Sequence, residues 1–370
     1  MPLNAPEAGQ GRHSPRALWM ILIALLIGAI LVALVAAEFG IRWLQGRKYG
    51  TAARVEDHLV IDPAINLRVP RANLHFGRIE TNSLGFRGPE IQVPKPAGRI
   101  RIAFLGASTT WCAEVSGNDK VWPHLVVDDL RRAFPNADID YVNGGVPGFT
   151  TKSSLKNLEH RVAPLRPDII VIYHAINDMS LELRGHAASR GLTGELRENT
   201  PSWLATKSLL WDLAEKNVRI WLAQRKVEAS VGRLEMDAES LGEPFRRDLT
   251  ALVQAARKTA RVVFVATFST RLRADQGAEE QLRAAASNLY YMPFMTPEGL
   301  LAAYGRYNEI IREVTRDAGV VLIGGEAEIP GDAQHFTDSV HFTDAGSRAM
   351  ATRVSSVVGR NPQFKEVLER

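Results

Sequence analysis

Four short segments carry side chains that acyl-transfer chemistry needs, and they occur in a workable order. A compact apolar run, Ile100–Leu105, leads into Gly106-Ala107-Ser108-Thr109-Thr110. A serine just past the first strand of an α/β sheet sits where ligands gather in that architecture. Alone, such a Gly-Ser turn is more often only a turn. Asn143-Gly144-Gly145-Val146-Pro147-Gly148 follows a second strand expected at Ile139–Val142. Its glycines let the backbone approach a ligand and leave N–H groups pointing into a site. Tyr173-His174-Ala175-Ile176-Asn177-Asp178 follows a third strand, Asp168–Tyr173, where the Asn177 amide can donate to a developing negative oxygen. Near the C-terminus stands Asp338-Ser339-Val340-His341, a spacing that lets the carboxylate meet Nδ1 while Nε2 faces a nucleophile.

That last segment has a double. The tail reads HFTDSVHFTD, so Asp332 with His335 and Asp338 with His341 share one spacing. Spacing does not choose between them, but context does. After His341 come Thr343 or Asp344 as helix N-cap and a helical run, which places His341 in the loop entering the final helix. His335 follows the Pro330-Gly331 turn and is expected to line the approach or face solvent.

The elements that must position these residues alternate. Further strands are expected at Arg261–Thr267 and Val320–Ile323, making five. Helices are expected at about 120–134, 245–260, 297–318 and 344–359, and short strands around Thr81–Phe86. Strands separated by helices imply a parallel sheet covered on both faces, joined by right-handed crossovers. The rhythm breaks at about 180–243, a helical insertion carrying Trp203, Trp211 and Trp221. It reads equally as extra core cover or as a lid or acceptor-binding element.

At this point the four segments resemble the blocks of the SGNH (GDSL-like) serine hydrolases, over about residues 99–359. The resemblance implies a flavodoxin-like three-layer α/β sandwich with a five-stranded parallel sheet. It implies Ser108 as nucleophile, Asp338 and His341 as its partners, and no cofactor or metal. It also implies an oxyanion hole from the Ser108 and Gly145 backbone N–H groups and the Asn177 side chain. Thr81-Asn82-Ser83-Leu84-Gly85-Phe86-Arg87-Gly88 resembles a lead-in of anchored bacterial members. Two positions depart from the family pattern: Ala107 stands where an Asp is usual, and Ala175 where a Gly is usual. Neither supplies the nucleophile, the base or an oxyanion donor. The implied reaction is removal of a small acyl group, such as acetyl, from an envelope or secreted carbohydrate. The alternatives are O-acyl transfer to a polysaccharide, or a non-catalytic carbohydrate-binding relative.

Composition frames this reading. The chain has 370 residues, 45% apolar and 23% charged, and a net charge of +4. That small basic excess makes no case for nucleic acid, which needs Lys and Arg gathered into a stripe. One cysteine, Cys112, excludes an intrachain disulfide framework and a multi-Cys zinc site. Its place near Ser108 is read as packing. From Ala17 to Ala37 no residue is charged, a stretch of roughly 30 Å as helix, about one hydrocarbon thickness. Arg16 and Glu38 bound it, with Trp19 and Trp43 near the expected interfaces. Val35-Ala36-Ala37 also suits signal peptidase, but the run is long for a signal sequence, so an uncleaved anchor is expected. The chain thus divides into a tail (1–16), a transmembrane anchor (17–38), a stalk and loop-rich lead-in (39–98) and the hydrolase domain (99–370). The expected partners are an ester substrate and, through the anchor, a membrane. The catalytic domain is expected outside the cytoplasm by its class. Charge counting favours the opposite, since Arg12 and Arg16 precede the anchor whereas Arg42, Arg47, Lys48 and Arg54 follow it.

Overall fold

The structure is a computed structural model that describes residues 15–50, 58–192, 202–229, 234 and 237–369. Most of the N-terminal tail, with Arg12, and also Arg54 and parts of the 180–243 insertion, lie outside the described residues. In chain order, helix α1 (Pro15–Tyr49) is followed by two small antiparallel hairpins, β1 (Leu59–Asp62) with β2 (Leu67–Pro70) and β3 (His75–Phe76) with β4 (Ile79–Glu80). Then come β5 (Ile100–Gly106), α2 (Ser108–Trp111), α3 (Trp122–Ala133), β6 (Ile139–Gly145), α4 (Thr151–Asn157), β7 (Ile169–Tyr173) and α5 (Ile176–Ser189). The insertion contributes α6 (Trp203–Lys207) and α7 (Leu209–Ala229). The chain ends with α8 (Glu243–Thr259), β8 (Val262–Ala266), α9 (Ala278–Tyr291), α10 (Pro297–Asp317), β9 (Val321–Ile323), α11 (Asp344–Arg360) and α12 (Pro362–Leu368).

The sheet is parallel throughout, in the order β6-β5-β7-β8-β9. Strands β5, β7 and β8 are buried along their whole length, as runs such as IIVIY require when helices cover both faces. The five strands fall where the apolar runs place them. β6 runs three residues past Val142, carrying Asn143-Gly144-Gly145 into the sheet edge. The connection from β5 leads to one side and that from β6 returns to the other, so the topological switch lies between β5 and β7. Ligand sites of open α/β sheets form at the carboxyl ends of strands at such a switch.

Two expectations change. The segment expected as short strands around Thr81–Phe86 is a tight loop, closed by a single antiparallel bridge between Thr81 and Arg87. The Asn82 side chain dictates this, accepting the Leu84 and Phe86 N–H groups (both 3.0 Å) and donating to the Pro89 carbonyl (3.0 Å). Such local side-chain bonds offer the backbone an alternative to a ladder. The stalk likewise begins as helix, because α1 continues beyond Glu38 to Tyr49. An Arg42–Glu38 pair one turn apart supports it, and Gly50, at φ +75°, ends it.

The sheet edge is tied to its surroundings by charge. Arg101, fully buried on β5, grips Asp140 of β6 with two bonds (2.8 and 2.7 Å) and donates to the Leu165 and Gln92 carbonyls (both 2.9 Å). Removing the carboxylate leaves a buried guanidinium without its counter-ion. Asp140→Ala is therefore expected to lower unfolding free energy by about 3 kcal/mol, measured by denaturant titration. A loss below about 1 kcal/mol would mean the pair behaves as a surface bridge.

Candidate active site

Register across the carboxyl edge of the sheet sets the site. Gly106 of β5 pairs with Gly145 of β6 on one side and Tyr173 of β7 on the other. Each strand then releases its loop at the same level. Glycine is needed at both turning points. A Cβ on Gly106 would lie 2.0 Å from Thr110 Oγ1, and one on Gly145 would lie 2.7 Å from the Trp111 backbone nitrogen. Both contacts are far inside van der Waals range, so α2 can fold back onto the strand ends only over bare backbone.

Ser108 is the first residue of α2, with Ala107 as its N-cap. An alanine offers no side chain to cap the helix, and the Ser108 N–H meets no acceptor among the described residues. The other end of this short helix is clamped. Arg87, fully buried, donates to the carbonyls of Trp111 (2.8 Å) and Cys112 and to Asn118 Oδ1 (2.8 Å). The lead-in loop thus holds the serine-bearing turn. Burial lowers the pKa of Arg87 to about 10, with nearby Cys112, Glu114 and Tyr141 acting the other way.

His341 enters from the far end of the chain. Thr343 caps α11 by accepting the Gly346 N–H (3.1 Å), and His341 sits just before this cap. Its Nε2 lies 2.9 Å from Ser108 Oγ, and its Nδ1 lies 2.8 Å from Asp338 Oδ2. The second oxygen of Asp338 accepts the Val340 and His341 N–H groups, each at 2.9 Å. Burial pushes the Asp338 carboxyl upward, but the hydrogen bond and charge of His341 and the two backbone donors outweigh it. The net effect holds Asp338 below the ordinary carboxylate value. With Nδ1 protonated toward this carboxylate, Nε2 is left to accept the serine hydroxyl.

The other Asp-His pair has the same local form. His335 Nδ1 lies 2.8 Å from Asp332 Oδ1, and that oxygen accepts the Gln334 and His335 N–H groups (2.9 and 3.0 Å). Ser108 is on His341, and no hydroxyl bonds the His335 ring among the described residues. The bridge between Phe336 and Phe342 folds the tail so that the two histidines fall at different places.

The oxyanion candidates are placed unequally. Asn177, in the first turn of α5, spends one amide hydrogen on the Phe149 carbonyl (2.9 Å) and keeps the second. The Gly145 N–H donates instead to Asn143 Oδ1 (3.0 Å), while Asn143 Nδ2 donates to the Thr110 carbonyl (3.1 Å). Asn143 is buried, and spacing alone did not single it out. Its only sequence signal is an Asn directly before the Gly-Gly. Behind Asn177, Asp178 accepts the N–H and hydroxyl (2.6 Å to Oγ1) of Thr151, the first residue of α4. Burial raises Asp178 to about 6 against these bonds. Burial likewise lowers His174 to about 3, and its Nε2 lies 2.8 Å from Ser154 Oγ. Among the described residues no cluster of three metal-ligating side chains occurs.

With this geometry in place, the sequence compares directly with known families. The model of the GDSL-like lipase/acylhydrolase family matches residues 104–349, well over half of the chain. The chain belongs to that family. It is an SGNH-type esterase, an ester hydrolase by family. No curated protein matches the esterase. Several solved structures resemble it at low identity. A variant of the acetyl xylan esterase Axe2 from Geobacillus stearothermophilus is 16% identical, with 70% of this chain and 94% of that one covered at TM-score 0.44. LAE5, an alpha/beta hydrolase enzyme from the metagenome of Lake Arreo, Spain, is 16% identical over 70% and 95%, at TM-score 0.43. The lipase/acylhydrolase from Enterococcus faecalis is 18% identical over 70% and 96%, at TM-score 0.41. These likenesses say nothing of substrate.

Cys112, beside the turn of the esterase that carries Ser108, is inert by its surroundings. It is buried in a left-handed conformation (φ 57°), and burial raises its thiol to about 12 despite the neighbouring Arg87. Thiolate is the reactive form. The folded esterase should therefore resist iodoacetamide at mildly alkaline pH and keep its activity, as followed by intact mass and ester turnover. Rapid stoichiometric alkylation of the native protein would show that the thiol is not sealed.

Proposed function

We propose that this esterase removes a small acyl group, such as acetyl, from a carbohydrate of the cell envelope or a secreted polysaccharide, with Ser108, His341 and Asp338 as its catalytic triad. The Ser108–His341–Asp338 chain of short contacts carries the triad reading. The carrier reading is supported by exposure. The side chains of His341 and Asp338 are 21% and 34% exposed, so the ester can be presented by a bulky carrier whose body stays in solvent.

In this mechanism His341 Nε2 takes the Ser108 hydroxyl proton as Oγ attacks the ester carbonyl, a placed base being worth about 10²–10⁴-fold. Asp338 holds the imidazole tautomer and stabilises the imidazolium. The Ser108 N–H and the second Asn177 hydrogen face the tetrahedral oxyanion. The Gly145 N–H joins them by parting from Asn143 Oδ1. Collapse of the intermediate expels the alcohol, which takes its proton from His341, and leaves an acyl-serine. Water then attacks, giving its proton to His341, and the second collapse frees the acid as His341 returns that proton to Ser108 Oγ. No step calls on a metal or cofactor.

Variants of the purified full chain test the roles on a short-chain aryl ester. Ser108→Ala should abolish turnover with folding intact. His341→Ala should cost about 10²–10⁴-fold in kcat, whereas His335→Ala stays within about tenfold, or ~1.4 kcal/mol. Asn177→Ala should lower kcat more than it raises KM, because its amide acts on the transition-state oxygen. If the two histidine variants exchange behaviours, the triad reading fails. Release of acetate from an acetylated glycan, against acyl-glycan formation with an added acceptor, identifies the second substrate.

We further propose that α1 is an uncleaved membrane anchor with the catalytic domain outside the cytoplasm. The apolar window of α1 has a mean hydropathy of 3.1 and is 0% buried by the other described residues. A helix this apolar without a protein partner needs another apolar medium. The orientation rests on the envelope substrate. One of the basic residues beyond the anchor, Arg42, is paired with Glu38, which softens the opposing charge count. A reporter active only in the periplasm, fused after Arg370, should be active. An expressed but silent fusion would reverse the orientation.

A further inference from the structure

The helical insertion exposes more apolar surface than a helix pair covering a core should. Trp203 on α6 is 73% exposed. On α7, Trp211, Ala214, Val218 and Trp221 recur at intervals of three and four residues, so they share one face, and each is exposed. The opposite side of α7 is turned inward: Leu209 is buried, Leu213 is half-buried, and the Lys216 ammonium lies 5.1 Å from the centre of the Tyr291 ring. The apolar stripe therefore looks away from the catalytic domain.

The start of α7 is fixed to α1. Ser208 Oγ and the Leu209 and Leu210 N–H groups donate to the Glu38 carboxylate at 2.8, 3.1 and 2.8 Å. Arg42, which also bonds Glu38, reaches the Lys207 carbonyl at 3.4 Å. Glu38 is the first charged residue after the uncharged run, so it marks the level at which α1 leaves hydrocarbon. The lock sets the start of the stripe at that same level. On α1 itself, Phe39 and Trp43 are exposed there. Farther along α7 the Arg225 guanidinium stacks on Trp221 at 4.3 Å, an apolar body with a cationic tip.

We propose that α6 and α7 lie on the surface of the bilayer that α1 crosses, with the tryptophan stripe seated at the headgroup level. This rests on the anchor reading of α1. The occupant is lipid because the stripe begins beside the bare apolar band of α1, at the depth where tryptophan partitions, and ends on a basic residue suited to anionic headgroups. A domain held both by a crossing helix and by an interfacial one cannot swivel freely. The insertion then sets the height and tilt of Ser108 above the membrane.

Nitroxide labels on single introduced cysteines test this in the full chain, in nanodiscs of phosphatidylcholine and phosphatidylglycerol. The native chain, whose Cys112 is buried, serves as the blank. Leu26→Cys reports the anchor, Val218→Cys the stripe and Gln363→Cys an exposed position on α12. Each label is read by its accessibility to oxygen against a water-soluble nickel chelate, in samples that retain ester turnover. The expected result is Leu26 deep in the bilayer and Val218 shifted toward oxygen relative to Gln363. If Leu26 is deep while Val218 matches Gln363, the stripe is not on the membrane and the anchor reading stands. If Leu26 is also water-accessible, both readings fall. Dipolar broadening between Val218 labels at high protein density, with no shift toward oxygen, would assign the face to a second copy and overturn the proposal.

Discussion

The 2.9 Å approach of His341 Nε2 to Ser108 Oγ joins residues from opposite ends of the domain, and much of the fold serves to hold them there. Neither residue has a local reason to meet the other. Ser108 is placed by the register of β5 between β6 and β7, and His341 by the cap of α11. The approach also depends on the tautomer of the imidazole, which Asp338 sets through Nδ1. Asp338 is in turn pinned by two backbone N–H groups of its own loop. A carboxylate so bound is kept charged and in one orientation at little entropic cost on substrate binding.

Buried arginines tie down the elements that carry the site. Arg87 fastens the last turn of α2, Arg101 joins the N-terminal ends of β5 and β6, and Arg353 of α11 gathers carbonyls from the ends of β8 and β9. Each guanidinium offers five donors in a planar fork and so satisfies several carbonyls that would otherwise be buried without partners. The cost is a desolvated charge, visible in the lowered pKa of Arg87 and the downward direction for Arg353. That cost is worth bearing where a strand end must be rigid. The lead-in before the sheet, which has the look of a stalk in sequence, is therefore part of the support for the turn that carries Ser108.

The insertion after β7 is held by helices α1 and α9 rather than by the sheet itself. Its second helix is held at one end by Glu38 and along one side by Tyr290 and Tyr291. Its tryptophans Trp203, Trp211 and Trp221 are turned outward while Ala205 and Leu209 are buried. The carboxylate of Glu38 serves the N-terminal N–H groups of α7, where negative charge is favoured. The apolar N-terminal helix and α7 are thus joined by a polar contact as well as by the chain.

The amino-acid sequence by itself determined the layer architecture, because fully apolar strands separated by amphipathic helices have one economical packing. It also determined which residue types stand at the strand ends, since Gly106, Ser108, Gly145 and Asn177 follow apolar runs whose ends are legible. It could not determine that Thr81–Phe86 is a loop, because the decisive bonds come from one side chain, Asn82, acting on its own backbone. Nor could it show that the Gly145 N–H is engaged by Asn143, which depends on the rotamer of that side chain, or that Arg87 clamps α2, a contact between separate segments. The two Asp-x-x-His repeats make the limit plain. They are chemically alike in spacing; the helix signal after His341 favours that ring, and the tertiary structure shows that it is the one at Ser108. Local spacing fixes the bond between carboxylate and imidazole, but the distance to Ser108, more than two hundred residues away, depends on the packing of the whole sheet.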